Sequence, residues 1–125
     1  MNIKQLLKLQ FIYCLLGVLF NVISSGLIQY GGKGLTSTPP IIGTLTMFVY
    51  GCFLVSGILR KLNVYRSLML IAILAFGYGG IIKHFILLNQ SPELYASLTS
   101  GIIAISINIF GLFLNVYAAL GKFSE

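Results

Sequence analysis

The sequence predicts an all-α membrane protein, in which four transmembrane helices form an up-down-up-down antiparallel bundle. Three observations predict this fold class: the composition, four long apolar segments, and basic residues gathered at the segment ends. Of the 125 residues, 58% are hydrophobic and only 8% are charged, whereas about 25% of the residues of a soluble domain are charged. A soluble domain of this size buries only about two-thirds of its chain's surface, so it has no room for this much apolar area.

Each of the four apolar segments is long enough to cross a bilayer as a helix, which takes about 20 residues. They cover residues 11–30, 41–59, 67–88 and 94–120. Pro39 and Pro40 precede the second segment and favour a helix start there. Because short loops join neighbouring antiparallel helices, the short connections predict a single four-helix domain over residues 1–125.

The lysines and arginines are divided unevenly between the two ends of these segments. Six of the eight lie on the side of the termini and the middle loop, and two lie on the other side. The six are Lys4, Lys8, Arg60, Lys61, Arg66 and Lys122, and the two are Lys33 and Lys83. Positively charged loops stay in the cytoplasm, so we predict cytoplasmic termini in a cell membrane of the bacterial inner-membrane type.

The first segment has a second interpretation as a cleavable signal peptide. The small residues of Ile23-Ser24-Ser25 resemble a cleavage site. The apolar run before and around them is about 20 residues long, however, and the apolar core of a signal peptide is usually about 7 to 15. We therefore expect the segment to be retained as a transmembrane helix.

Small and polar residues recur along the first and fourth segments, in the fourth at alternating steps of four and three. This spacing keeps them on one face of a helix that packs closely against another. The first series is Cys14, Gly17, Asn21 and Ser24, and the second is Ser97, Gly101, Ala104, Asn108, Gly111 and Asn115. We predict a polar seam between these two helices, formed chiefly by Asn21, Ser24, Asn108 and Asn115.

An asparagine in mid-membrane is costly unless its amide finds a partner. Asn21 and Asn108 lie at similar depths in their segments, so we predict that they face each other and share a hydrogen bond. Two interpretations of the seam remain open. It is either a device for helix packing and register, or the polar lining of a substrate path.

The third segment contains the ionisable residues Lys83 and His84 near its outer end. Ionisable residues within a span are candidates for function, and we predict an anion or lipid contact here. Lys83 either extends its stem to the lipid phosphates or binds an anion or a carboxylate, with Glu93 as a possible partner. A histidine changes its charge near neutral pH, so His84 is a candidate pH sensor.

Glycines precede these two residues in the sequence Gly77-Tyr78-Gly79-Gly80. The central tripeptide resembles the filter of potassium channels, but the filter needs a re-entrant loop and here the tripeptide interrupts a continuous span. We predict instead a helix bend or a close helix contact at Gly77, Gly79 and Gly80. A true break would leave backbone carbonyls available to a ligand.

Groups suited to catalysis are scarce. One histidine and two acidic residues in the whole chain supply neither a metal-ligand cluster nor a serine-histidine-acid constellation. Cys14 and Cys52 belong to no paired motif, and the basic residues form no run of the kind that binds nucleic acid. We expect no enzymatic activity, metal, cofactor or nucleic-acid partner.

Comparison with small membrane-protein families of similar size mainly excludes functions. Small multidrug transporters are similar in length and number of spans but depend on a carboxylate in the first span, which this chain lacks. Dual-topology fluoride channels are also similar in size, yet their phenylalanine pattern is not evident here.

Two functions remain open, with membrane lipids as partners in either case. The first is a non-enzymatic accessory, assembly or helix-interaction subunit, working as a homo-oligomer or with a larger membrane protein. The alternative is a small transporter or channel for an apolar or anionic solute. It would use the polar seam and the region of Lys83.

Overall fold

The computed structural model describes residues 1–124, and within them the chain is helical and has no strand. The helices are α1 (Ile3–Gln29), α2 (Pro40–Ile58), α3 (Leu62–Phe76), α4 (Lys83–Gln90) and α5 (Leu98–Leu120). A π-helical segment, Gly77–Ile82, joins α3 to α4, so that Leu62–Gln90 forms one helical stretch of 29 residues. A short 3-10 helix, Pro92–Leu94, leads towards α5.

Four helical stretches in residues 1–124 are long and apolar enough to cross a membrane, as the sequence predicts. Within an apolar stretch of 18 residues in each of these helices, only 17% to 33% is buried inside the protein. The remaining faces are apolar and exposed, and include Phe48, Leu74 and Phe113. Such surfaces are compatible with a small integral membrane protein, whose outer faces contact lipid.

The starts of α1 and α5 differ from the predicted ones because capping side chains set them, and not apolar character. α1 begins at Ile3, since Asn2 and Gln5 form a reciprocal capping box. The helix therefore continues through Lys4 and Lys8, whose side chains are exposed. At the other end of the chain, Ser97 caps α5, and this helix begins at Leu98 instead of residue 94.

Close helix packing depends on small residues opposite large ones. The ring of Tyr13 on α1 occupies the space where a side chain at Gly111 of α5 would lie. Met47 of α2 fills the corresponding space at Gly17 of α1. These contacts bring α1 against both α2 and α5, while α3 packs against α5.

Hydrogen bonds join chain segments at both ends of the bundle. We call the end that holds Met1 and Ser124 the terminal end, and the end that holds Gly34 and Ala96 the loop end. At the terminal end of the bundle, the Ser124 amide donates to the Met1 carbonyl at 3.2 Å. At the loop end, the Ala96 amide donates to the Gly34 carbonyl at 2.9 Å, and the Ser100 hydroxyl donates to the Leu35 carbonyl at 2.7 Å. The segment 30–39 is thus tied to the start of α5.

Arg66 caps the last turn of α5 from the first turn of α3. Its guanidinium donates to the carbonyls of Ala118, Ala119 and Gly121 at 3.2, 3.0 and 2.8 Å. It also lies 4.4 Å from the ring centre of Phe123. Because the last carbonyls of a helix have no partner within it and carry partial negative charge, this arginine satisfies them and joins two helices.

Replacing Arg66 with methionine removes these bonds but keeps the apolar stem. We expect the free energy of unfolding in detergent to fall by about 1–2 kcal/mol, the range for hydrogen bonds from a half-buried charged group. Lys61→Met is the matched control, because Lys61 is exposed and makes no side-chain hydrogen bond among residues 1–124. Equal free energies of unfolding for the two variants would show that the Arg66 cap does not contribute to stability.

Candidate functional site

A cavity of about 270 Å³ lies at the loop end of the bundle, between α1, α2, the π-helical segment and α5. The segment 30–39 covers one of its sides. Its walls are partly aromatic and aliphatic, and seven polar side chains reach them from five parts of the chain. These are Asn21, Thr36, Thr38, Thr46, Lys83, His84 and Asn108.

Asn21 enters the cavity from the middle of α1, where it lies against the backbone at Gly43 of α2. Its amide nitrogen donates to the Gly17 carbonyl, one turn earlier, at 2.8 Å. Its oxygen accepts no hydrogen bond within residues 1–124. Asn21 therefore presents an acceptor with unused capacity beside the cavity.

Asn108 enters from α5 and lies against Gly80 of the π-helical segment. Its oxygen accepts from the Tyr13 hydroxyl at 2.9 Å, and its nitrogen donates to the Ala104 carbonyl at 3.0 Å. The predicted hydrogen bond between Asn21 and Asn108 is wrong. Similar depth did not make them partners, because each amide bonds to a carbonyl one turn earlier in its own helix, although both line the same cavity.

Lys83 and His84 both line this cavity, although they are adjacent on one helix. The side chain of Lys83 is exposed. No ion pair between Lys83 and Glu93 forms within residues 1–124, so that proposed partnership is wrong. Glu93 lies in the 3-10 helix and is exposed to solvent, where its carboxylate needs no partner.

His84 is buried, with 5% of its surface exposed. Its Nδ1 shares a hydrogen bond of 2.8 Å with the hydroxyl of Tyr95, whose ring meets the imidazole edge to face. Tyr95 follows the 3-10 helix and is itself buried. The sequence analysis missed this residue, because a single tyrosine in a loop has no spacing that indicates a partner.

The glycine-rich stretch is continuous helix, with π-helical turns over Gly77–Ile82. The bend at Gly77, Gly79 and Gly80 stays a prediction. Gly80 is buried against Asn108, and Gly79 lines the cavity. No atom lies within 4 Å of where a side chain at Gly77 would begin. Single π-helical insertions are frequent at functional sites, and this one forms a wall of the cavity.

Three aromatic rings close the cavity on the side of the terminal end. Tyr13, Tyr50 and Phe76 meet edge to face, with ring centres 5.3, 5.9 and 5.6 Å apart. Tyr13 and Phe76 line the cavity directly. We call these three rings the aromatic floor of the cavity.

A second polar cluster lies beyond this floor and takes one residue from each of α1, α2, α3 and α5. Asn115 Oδ1 accepts from Gln10 Nε2 at 3.2 Å and from the Tyr50 hydroxyl at 2.6 Å. Gln10 Oε1 in turn accepts from the Tyr65 hydroxyl. We call Gln10, Tyr50, Tyr65 and Asn115 the buried network.

The predicted polar seam is therefore divided among three places. Asn21 and Asn108 belong to the cavity, and Asn115 belongs to the buried network. Ser24 accepts a hydrogen bond from the Leu35 amide at 2.9 Å and so holds the segment 30–39 against α1. The seam spacing placed these residues on inner faces but did not determine their partners.

Three members of the buried network were missed in the sequence. Gln10 lies four residues before Cys14, so it extends the small and polar series of α1 by one turn. That signal was present, but the predicted span began one residue after it. Tyr50 and Tyr65 were counted among the apolar residues of the sequence, although a buried tyrosine hydroxyl usually needs a hydrogen-bond partner.

The described residues do not assemble a metal-ligand cluster, since no group of three or more histidine, cysteine or acidic side chains comes together in 1–124. Within the same residues, Asn115 Nδ2 is the one buried side-chain nitrogen or oxygen without a hydrogen-bond partner. The chain matches no protein-family description and no curated protein, and its structure matches no solved structure.

Replacing Asn115 with leucine leaves the Tyr50 hydroxyl without its acceptor and leaves Gln10 Nε2 with only the Met69 sulfur as acceptor. We expect this variant to lose about 1–3 kcal/mol of unfolding free energy, the cost of stranding buried donors. Asn89→Leu is the control, since Asn89 is exposed and bonds only to a carbonyl of its own helix. Denaturant titration in mixed micelles measures the unfolding free energy of both variants. Equal losses in the two variants would show that the network does not contribute to stability.

Proposed function

We propose that the protein is a small integral membrane protein that binds a small anionic solute in this cavity, as the solute site of a transporter. One observation carries the proposal. The described residues that line the cavity include Lys83 and no aspartate or glutamate. A cation there without a neighbouring carboxylate attracts an anion, and the partly apolar walls strengthen that attraction by excluding water.

The hydrogen-bonding groups favour a solute that is both anionic and hydroxylated. Lys83 supplies donors for a carboxylate or a phosphate. Asn21 Oδ1 offers an acceptor with no partner among residues 1–124, which suits a hydroxyl donor on the solute. A volume of about 270 Å³ holds roughly nine water molecules at about 30 Å³ each, so the solute is smaller than most drug-like ligands.

The proposal includes an orientation for the bundle. The four long helices alternate in direction, with both termini and the α2–α3 turn in the cytoplasm of a bacterial-type cell membrane. The contacts between Ser124 and Met1 and between Arg66 and the end of α5 support this arrangement, as does the distribution of basic residues. The cavity then opens on the outer side.

Transport requires the cavity to become accessible from the cytoplasm as well. We propose that the rings of Tyr13, Tyr50 and Phe76 close that route in this conformation, which is then the outward-facing state of the cycle. The π-helical segment follows Phe76 directly, and a side chain at Gly77 or Gly79 would begin more than 4 Å from any other part of the described chain. We propose that the route opens by movement of this segment.

An accessory or assembly subunit is the competing function. It explains the exposed apolar helix faces equally well, since those faces contact either lipid or a partner helix. It assigns no role to the cavity, to the cation at its edge, or to the unused acceptor of Asn21. For that reason we favour solute binding, and we propose no catalytic activity.

The variant Lys83→Gln tests the solute site. We expect acetate, lactate, succinate or inorganic phosphate to raise the unfolding temperature of the purified protein. We expect the variant to weaken that binding at least about tenfold, which corresponds to about 1.4 kcal/mol. Lys33→Gln is the control, because Lys33 lies at the same end but does not line the cavity. Lack of stabilisation by any of these anions, together with co-purification of a stoichiometric larger protein, would favour the accessory subunit.

Cysteine labelling tests the orientation. In a variant with Cys14 and Cys52 replaced by alanine, we introduce Lys33→Cys or Lys61→Cys and treat intact cells with a maleimide that does not cross membranes. We expect labelling of the cysteine at position 33 and not of the one at position 61. Labelling of the second alone would reverse the proposed orientation.

A further inference from the structure

A second concave surface lies at the terminal end of the bundle, in a groove of about 550 Å³ between α1 and α2. Its floor is apolar and includes Leu7 and Leu54, with Gly51 leaving it open. Three basic side chains stand at its edge, and among residues 1–124 no acidic residue lines it. These are Lys4, Lys8 and Arg60.

The three cations converge from two elements. Lys4 and Lys8 are one turn apart on α1, so their side chains extend from the same face. Arg60 approaches from the turn that follows α2. All three are exposed, and none of them forms an ion pair within residues 1–124. The groove thus combines an apolar floor with unneutralised positive charge at one end.

The backbone at Arg60 is unusual and shows that the arginine is not there for helix termination. Arg60 has a φ of 60°, and it follows α2 in a Schellman motif, with bonds from its amide to Gly57 and from the Lys61 amide to Ser56. Glycine is the residue that fits this position without steric cost. An arginine is less favourable there, and what it adds is a cation at the groove.

The end of α1 provides the internal comparison. It has the same motif, with bonds from the Gly31 amide to Ile28 and from the Gly32 amide to Leu27. The left-handed position is occupied there by Gly31, with a φ of 82°. The same motif therefore has glycine at its left-handed position after α1 and arginine after α2, where the groove lies.

We propose that this groove binds one anionic phospholipid, with its phosphate at Lys4, Lys8 and Arg60 and one acyl chain along the apolar floor. Charge complementarity selects the anionic headgroup. The floor selects an acyl chain, because a soluble anion needs no apolar surface. The position between two helices that are apolar enough to span a bilayer places the groove where lipid is the surrounding solvent.

This site is separate from the solute cavity. The two share no lining residue, and one lies at the terminal end while the other lies at the loop end. Lipid binding therefore does not rest on the proposed solute function. Loss of one in an experiment leaves the other measurable.

Native mass spectrometry of the full chain tests the proposal, with phosphatidylglycerol and phosphatidylcholine of identical acyl chains as probes. We expect phosphatidylglycerol to bind at least tenfold more tightly. Arg60→Gly should weaken it about fivefold, the effect of one basic residue near anionic lipid. The lipid-free variant should unfold at no lower temperature than the original, since glycine suits a φ of 60°. Lys61→Gln removes the adjacent charge outside the groove and should change binding little.

A second variant tests the acyl-chain part without changing any charge. Gly51→Leu places a side chain in the groove, where only the Cys14 sulfur lies within 4 Å of the new Cβ, at 3.7 Å. We expect this variant to bind phosphatidylglycerol at least fivefold more weakly and to remain folded. Equal loss in Arg60→Gly and Lys61→Gln would overturn the site in favour of general surface charge. Undiminished binding by Gly51→Leu, or equal competition by soluble glycerol phosphate or an acidic peptide, would overturn the lipid assignment.

Discussion

A polar group inside a bilayer has no water to bond with, so each one must find a partner within the protein. In this chain hydrogen bonds between helices meet most of this requirement: Asn115 Oδ1 accepts from α1 and α2, and Gln10 accepts from α3. Among residues 1–124, Asn115 Nδ2 is the buried side-chain atom that has no partner. The apolar faces of the four long helices contact lipid as favourably as they contact one another, so these contacts do not hold a helix in a particular place. The buried network therefore determines which faces of the helices meet, and the positions of the other polar groups depend on it.

The cavity is a consequence of this arrangement. The floor formed by Tyr13, Tyr50 and Phe76 packs directly against the buried network, and two of its members, Tyr13 and Tyr50, donate hydrogen bonds to the asparagines on either side of it. Above the floor, small residues and the π-helical turns keep the helices from closing completely. Lys83 and His84 then lie at the edge of an open volume, and a polar interior that holds the helices together also creates the proposed solute site.

The basic residues at the terminal end make different contacts, although they all count alike in the predicted orientation. Arg66 turns inward and satisfies the last carbonyls of α5. Arg60, six residues earlier, occupies a left-handed position that suits glycine and adds its charge to the groove between α1 and α2. Composition alone does not separate a capping arginine from a lipid-binding one, because the difference lies in which atoms each guanidinium reaches.

Apolar length and low charge, which are properties of each segment by itself, were enough in the sequence to determine four helices able to span a membrane. The spacing of small residues also determined which faces of α1 and α5 turn inward, since helical periodicity carries that information. Partners were decided only by the tertiary structure. Asn21 bonds within its own helix, Asn108 also accepts from Tyr13 of α1, and Asn115 accepts from Gln10. Depth along a helix did not predict these partners, because it does not fix the rotation and contacts of the neighbouring helices. The cavity and the groove likewise exist only between helices, where no single segment describes them.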